Sequence, residues 1–342
     1  MRLSKLSAWC LTLVLIMGLA GSLQAATRYR YYTTGQGNGS MALAVNDNSQ
    51  AVVNFNDRAY VWTLSGGLQD LGDLGGGKSY AYGINNLGQI VGESFINETT
   101  SHAFLWQSGA MQDLGALSGG VRNIAASINN QGQVVGGTVF SDETFSAFTW
   151  TTGGGLQPLD LDGGIASKIK DDGRMVGQKN NHAWLWNSPG AGQDLGILPG
   201  YSYAEATDMN QNGLVVGFAG NNPENDYHPC RAFSWTQSGG LKDLGTPGGS
   251  TSRALAVNQS GNISGWADYT LDGHTAGCLW TPRGEIFNLI TLVINLPEEK
   301  IGDGIAINAG GVIVGQGNDG GAAYMLVPQT ANFSPVMLLL LE

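Results

Sequence analysis

The chain has 342 residues, of which 53 are glycine and 13% are charged, and its formal net charge is −11. So many glycines disfavour long regular helices and favour a β protein with many turns. The acidic balance disfavours anionic partners, so we expect neither nucleic-acid binding nor binding to an anionic membrane surface.

The first 25 residues have the pattern of an export signal peptide. Arg2 and Lys5 form a basic start, residues 6–20 are almost wholly apolar, and small residues lead to a cleavage site after Ala25. The apolar stretch is shorter than the roughly 20 residues that a membrane-spanning helix needs, so we expect cleavage and no membrane insertion. Removing residues 1–25 leaves 14 basic and 27 acidic side chains, a net charge of −13.

Two cysteines, Cys230 and Cys278, remain after that cleavage. An oxidising compartment would permit a disulfide between them if the fold brings them close. The alternative is two separate thiols, with Cys278 as a small core residue in a position where other repeats carry an aromatic side chain.

The sequence predicts a single strand over residues 28–34. Beyond it, a turn of the pattern Asn-x-x-Gly occurs seven times, at intervals of roughly 40–50 residues. Asparagine at the start of such a turn can bond its own backbone, and glycine three places later accepts the positive φ of a bulged hairpin. The turns begin at Asn46, Asn85, Asn129, Lys170, Asn210, Asn258 and Asn308, and they end at Ser49, Gly88, Gly132, Gly173, Gly213, Gly261 and Gly311.

The second repeat shows the unit most clearly. We expect its strands over residues 79–85, 89–94, 102–106 and 111–115, and four short antiparallel strands are the blade of a β-propeller. A small residue four places before each turn, and a large one on each third strand, predict close packing between blades. The small residues are Ala42, Ala81, Ala125, Ala166, Ala206, Ala254 and Gly304; the large ones are Trp62, Trp106, Trp150, Trp186, Trp235, Trp280 and Leu326.

The two ends of the array complement each other. The seventh repeat has three recognisable strands, and residues 28–34 match the missing fourth strand. We therefore predict an all-β fold, a seven-bladed β-propeller in residues 26–328 that the N-terminal strand closes. An open solenoid is the alternative, and it would need capping units. Residues 329–342 form a short C-terminal tail with no assigned role.

The motifs Asn-x-x-Gly, Val-Val-Gly, His-Ala-Phe-Leu-Trp and Asp-Leu-Gly-x-Leu-x-Gly-Gly follow one another through residues 28–328. Together they resemble the HAF family of probable extracellular bacterial repeat proteins, whose name reflects residues such as His102-Ala103-Phe104. The resemblance implies export, a bacterial source and a propeller, and it brings no settled activity and no catalytic residues. The chain departs from the pattern at Lys170 and in residues 287–300, where a longer segment replaces the usual exit of the sixth repeat.

The histidines suggest no definite metal site. His102 occupies a strand position that other repeats fill with Arg or Ser, so we expect an interchangeable surface residue there, and His182 occupies the same position. His228 and His274 lie in loops near acidic residues, but a metal site would need at least three well-placed ligands. We therefore assign no cofactor. The sequence neither supports nor excludes a bound calcium ion. No Gly-x-Ser-x-Gly elbow is present, and we assign no catalytic residue.

In a propeller, the loops between second and third strands share one face with the connections between blades. We expect that face to collect amide, carboxylate and aromatic side chains, Asp268 among them, which suit carbohydrate or cation-assisted recognition; the alternative is a merely solvated acidic face. The candidate ligand residues are Tyr80, Tyr201, Tyr203, Asn222, Glu224, Asp226, His228 and His274.

We therefore predict an exported, noncatalytic binding or interaction module, monomeric and located outside a bacterial cell or in its periplasm. Its partner would be a surface glycan or another exported protein. Two alternatives stay open: a propeller hydrolase or lyase that acts on polysaccharide at the axial mouth, and a structural envelope protein without a discrete ligand.

Overall fold

In the computed structural model, which describes residues 27–159, 164–221, 230–270, 275–295 and 301–329, the strands form seven four-stranded antiparallel sheets. Tyr29–Pro328 constitute one compact unit; Met1–Arg28 and Gln329–Glu342 constitute another, which lies almost entirely outside the described residues. The fold is the predicted seven-bladed β-propeller.

Six blades consist of four strands that are consecutive in the chain. Blade one contains β2 (Met41–Val45), β3 (Ala51–Phe55), β4 (Arg58–Thr63) and β5 (Gly67–Asp70). Blade two contains β6 (Ser79–Ile84), β7 (Ile90–Phe95), β8 (Ser101–Gln107) and β9 (Ala110–Gly115). Blade three contains β10 (Gly120–Ile128), β11 (Val134–Phe140), β12 (Phe145–Thr151) and β13 (Gly155–Pro158).

Blade four contains β14 (Ile165–Ile169), β15 (Met175–Lys179), β16 (His182–Ser188) and β17 (Ala191–Gly196). Blade five contains β18 (Tyr203–Met209), β19 (Val215–Gly220), β20 (Cys230–Thr236) and β21 (Gly240–Asp243). Blade six contains β22 (Ser252–Val257), β23 (Ile263–Asp268), β24 (Thr275–Trp280) and β25 (Ile286–Asn288).

The seventh blade is built from both ends of the array. Its strands are β26 (Ile301–Ile307), β27 (Ile313–Gly317), β28 (Ala323–Gln329) and, beside β28, β1 (Arg28–Thr33). The predicted closure by the N-terminal strand is therefore confirmed. Two short 3-10 helices, Leu289–Leu292 and Asn318–Gly320, complete the regular structure of the described residues.

The unusual exit of the sixth blade holds the closing strand in place. Val293 forms a parallel bridge with Tyr29, and the Ile294 N–H donates to the Tyr29 carbonyl at 2.9 Å. The Asn295 side chain accepts from the Tyr31 N–H at 2.7 Å and donates to the Tyr31 carbonyl at 2.9 Å. The segment that departs from the repeat pattern thus fastens β1 to blade six as well as blade seven.

Each hydrophobic core lies between two neighbouring blades. One cluster joins Ala42 and Trp62 of blade one to Val314 and Met325 of blade seven, as ring closure requires. All the repeated tryptophans are at most 8% exposed, and the alanines four places before the turns are fully buried, so both sets act as predicted. Cys230 and Cys278 are buried and no disulfide joins them, so the alternative of two separate thiols is correct.

Each Asn-x-x-Gly turn closes as predicted. In blade two, the Gly88 N–H donates to the Asn85 carbonyl at 3.1 Å, and Gly88 has a φ of +75°. Ser49 takes the same conformation in blade one, with a φ of +58°. We call the end of the propeller that carries these turns the turn face, and the opposite end the loop face.

The first strand of every blade contains a bulge next to its small residue. In blade two the register shifts between Ala81 and Gly83, and the other six blades show a shift at the matching place. We call the first residue of each turn, such as Asn85, the turn residue, and we call the residue two places before it the wall position. These residues are Ala44, Gly83, Ser127, Lys168, Asp208, Ala256 and Ala306.

Candidate functional site

A cavity of about 450 Å³ occupies the propeller axis at the turn face. All seven blades contribute to it, through their wall positions, their turn residues and the residues that follow the turn residues. From the sequence we interpreted these turns only as elements that fold the hairpins. In the structure they also line an axial cavity.

The turn asparagines form hydrogen bonds from blade to blade around the cavity. Asn85, for example, accepts the N–H groups of Leu87 and Gln89 through Oδ1 and donates through Nδ2 to the Asn129 carbonyl of the next blade at 2.9 Å. Six of the seven blades make this inter-blade bond, over distances of 2.9–3.4 Å. One side chain therefore shapes its own turn and joins two blades.

A second set of bonds lies at the rim of the cavity. In five blades the residue after the turn residue donates its N–H to the side chain at the same place in the next blade. Asp47 accepts from the Ala309 N–H and from Asn86 Nδ2, and Asp171 accepts from the N–H and Nδ2 of Asn130. These bonds thus link the rim groups of neighbouring blades at five of the seven junctions.

Blades four and five break this pattern with three charged side chains. Lys170, in place of the turn asparagine, donates from Nζ to Oδ1 of Asp208 at 2.9 Å, so an ion pair replaces the amide bond. Asp208 is 4% exposed and also accepts from the Met209 N–H at 2.8 Å and the Val257 N–H at 3.0 Å. Burial opposes its charge, but the ammonium groups of Lys170 and Lys168 outweigh that effect and lower the pKa of Asp208.

Lys168 is the other charged residue at a wall position. Burial lowers the pKa of its ammonium group, and the nearby Lys170 lowers it further, while Asp208 acts in the opposite direction. Lys168 and Asp208 therefore occupy wall positions, Lys170 occupies the turn position beside them, and the five other wall positions are small and uncharged.

The three described residues of the predicted ligand face are already bonded or packed. The Tyr80 hydroxyl donates to Asp57 at 2.5 Å, and burial together with this bond raises the pKa of Tyr80 to about 12. The Tyr203 hydroxyl donates to Glu205 at 2.9 Å. Tyr201 packs against the core between blades four and five. All three are half-buried.

The remaining predicted ligand residues lie outside the described part of the chain. These are Asn222, Glu224, Asp226, His228 and His274. Asp268, which we assigned to the acidic loop face, is instead 1% exposed at the end of β23. The assignment of Asp268 to a loop of that face was wrong, because β23 extends through Asp268 and the side chain is buried there.

The histidines of the third strands have a structural partner. His102 Nδ1 lies 2.9 Å from Asp113, and His182 Nδ1 lies 2.8 Å from Asp194, in each case the aspartate of the Asp-Leu-Gly motif on the adjacent strand. Arg231 pairs with the equivalent Asp243 at 2.9 Å. The residues are interchangeable because each one supplies a donor to the same carboxylate.

A second buried charge lies outside the cavity lining. Glu93 is fully buried and accepts from Arg122, from Tyr82 and from the Ser101 hydroxyl. The bonds neutralise it within the fold. Among the described residues, no group of three or more His, Cys, Asp or Glu side chains could hold a metal ion, and no helix could cross a lipid bilayer.

Neither a family model nor a curated protein matches the chain. Among solved structures, an extracellular domain described as part of a hybrid two-component system of B. thetaiotaomicron is similar, with a TM-score of 0.53 and 10% identity over 87% of this chain and 39% of that one. A puromycin hydrolase variant has a TM-score of 0.51 and 14% identity, over 78% of this chain and 47% of that one. A chain of the mitotic checkpoint complex has a TM-score of 0.50 and 10% identity, over 89% of this chain and 93% of that one. The chain thus spans about two fifths of the bacterial extracellular protein, and at these identities the similarity shows the propeller fold alone.

Proposed function

We propose that this protein is an exported, noncatalytic binding module whose ligand occupies the axial cavity. The observation that carries the proposal is the cavity of about 450 Å³ to which all seven blades contribute. Small-molecule sites in proteins usually measure about 300–1,000 Å³. The signal-like N-terminus and the resemblance to the HAF family support export and a bacterial source.

The bonding of the rim supports a binding role. The turn asparagines are only 3–5% exposed and are already bonded to neighbouring blades, so a ligand would meet a surface that needs little further ordering. Most polar side chains of the lining are amides, which bind hydroxyl and amide groups and do not titrate near neutral pH. This composition favours recognition over acid–base catalysis.

Filling the cavity tests this proposal. Ala256→Phe places a ring at a wall position, whereas Leu87→Phe places one on the same face at an exposed residue outside the lining. We expect sugars and sugar acids that raise the melting temperature of the wild type to raise that of Leu87→Phe equally and that of folded Ala256→Phe not at all. An equal rise in Ala256→Phe would move the ligand site elsewhere.

The loop face remains a second proposed contact region, for a surface glycan or another exported protein. Tyr201 and Tyr203 support it because both rings keep part of their surface in solvent, and aromatic faces suit sugar rings. A glycan array with and without calcium, repeated on Tyr201→Ala and Tyr203→Ala, measures this contribution. Binding that survives both substitutions would argue against the loop face.

A further inference from the structure

The charges of the axial cavity are distributed unequally between its wall and its rim. Lys170 and Asp208 neutralise each other at 2.9 Å, and both oxygens of Asp208 are engaged by the bonds described above. Asp47 and Asp171 place negative charge at the rim, where neighbouring amides bind them. What remains at the wall is the ammonium group of Lys168.

Lys168 has no role in the bonding of the ring. Within the part of the chain that the structure describes, its interactions with Asp208 and Lys170 act through charge, and no hydrogen bond or ion pair joins its ammonium group to another side chain. At the six other wall positions the fold accommodates Ala, Gly, Ser or Asp, so folding does not require a lysine here. Asp208 acts on this ammonium group only through charge, because Lys170 and two backbone N–H groups already bind the oxygens of Asp208, so an anion in the cavity would stabilise the charged form of Lys168.

We propose that the axial cavity binds a small hydroxylated monocarboxylate, such as a sugar acid, whose carboxylate pairs with the ammonium group of Lys168. The inference rests on the proposed function, because it names the ligand class of the same cavity. The hydroxyl groups of the ligand would face the amides of the rim, including Asn86 and Asn130. The rim carboxylates of Asp47 and Asp171 would repel anions that carry several charges.

The probes are sodium glucuronate, its neutral analogue glucuronamide, and citrate as a multiply charged anion, each titrated calorimetrically into the full-length protein at pH 7. A hydrogen-bonded charge in a desolvated site corresponds to a preference of about tenfold or more, so we expect glucuronate to bind at least that much more tightly than glucuronamide. Citrate should bind more weakly than glucuronate.

Substitutions at Lys168 identify the group that is responsible. Lys168→Met keeps most of the side-chain volume and should abolish the preference for glucuronate over glucuronamide, whereas Lys168→Arg should retain a preference. Lys78→Met removes a lysine that pairs with Asp57 at 3.1 Å away from the cavity, and this control should behave as the wild type. Lys168→Gln provides a second neutral variant if Lys168→Met does not fold.

The outcomes separate the two proposals. Equal binding of glucuronate and glucuronamide, unchanged in Lys168→Met but lost in Ala256→Phe, would overturn the carboxylate and leave the cavity as a binding site. Tighter binding of citrate than of glucuronate would overturn the restriction to a single charge. Binding of glucuronate that is equal in the wild type and in Ala256→Phe, or no binding of any probe to the wild type, would overturn the inference.

Discussion

At the scale of single residues, the asparagine of the turn motif both stabilises its own turn and binds the next blade. Asn85 Oδ1 fixes the hairpin of its own blade, and Nδ2 reaches the next blade. The amide group suits this double role because it presents an acceptor and two donors from one rigid plane. The repeated asparagine is therefore a link between blades as much as a turn former.

Lys170 shows how the ring accommodates a different residue. Its ion pair with Asp208 occupies the place of the missing amide bond, and Asp208 is nearly inaccessible to solvent. Because a buried carboxylate without its partner is unfavourable, we expect Lys170→Asn to lower the free energy of unfolding by about 1–3 kcal/mol. Asp208→Ala should have a similar effect, since it leaves Lys170 unpaired.

The double variant Lys170→Asn/Asp208→Ala reproduces the combination that blades five and six have in Asn210 and Ala256. We expect its loss of stability to be smaller than the sum of the two single losses by about 1 kcal/mol or more, measured by urea unfolding. Strictly additive losses would mean that the pair contributes nothing to the ring.

At the scale of the strand, the bulge in the first strand explains the glycine of the Val-Val-Gly motif in the second strand. A Cβ atom added to Gly136 in β11 would collide with the carbonyl oxygen of Ile124 on the first strand. Gly92, Gly177 and Gly217 meet the equivalent carbonyl in their own blades. Glycine recurs in this motif because the bulged first strand approaches its neighbour too closely for a side chain.

Adjacent glycines in β11 provide a matched pair of variants. Gly136→Ala forces the Ile124 carbonyl to move and should lower the free energy of unfolding by about 1–3 kcal/mol. Gly137→Ala meets its nearest atom, on Ile165, at 3.6 Å and should cost well under 1 kcal/mol. Thermal unfolding of both variants measures the difference, and equal melting temperatures would contradict the explanation of the motif.

Strands and turns were predictable from the sequence because each is determined by residues close together in the chain. Asn-x-x-Gly and the alternation of apolar residues specify the hairpins, and seven copies specify the blades. The cavity was not predictable in the same way, since Lys170 and Asp208 pair only after a bulge and a blade-to-blade contact place them. The polar character of Asp268 suggested a loop, whereas its burial follows from the packing of β23.

At the scale of the whole molecule, β1 has two attachments. Thr33 Oγ1 donates to the Ala323 carbonyl of blade seven at 3.2 Å, and Asn295 fastens Tyr31 to the exit of blade six. Tyr29, in the same strand, is 3% exposed. The closing strand is therefore part of the core and not an accessory to it.

Deleting residues 28–34 should sharply destabilise the propeller, because blade seven would lose its fourth strand and the buried Tyr29 ring. Asn295→Ala, which removes only the side-chain bonds to Tyr31, should cost about 1–2 kcal/mol. Calorimetry compares the two changes with the wild type. A melting transition that is unaffected by the deletion would show that the ring does not need β1.

The position of β1 in the chain also determines when the ring can be completed. Thr33 and Ala323 are 290 positions apart, whereas every other blade joins strands that are neighbours in sequence. Contacts between distant residues form late because the intervening chain must first be ordered. We expect refolding to end in a slow step in which β1 docks, and until then the edge of β28 stays open to pairing with another chain. Dilution should therefore improve the yield of refolding, because the blade that closes the finished ring is also the last to be protected.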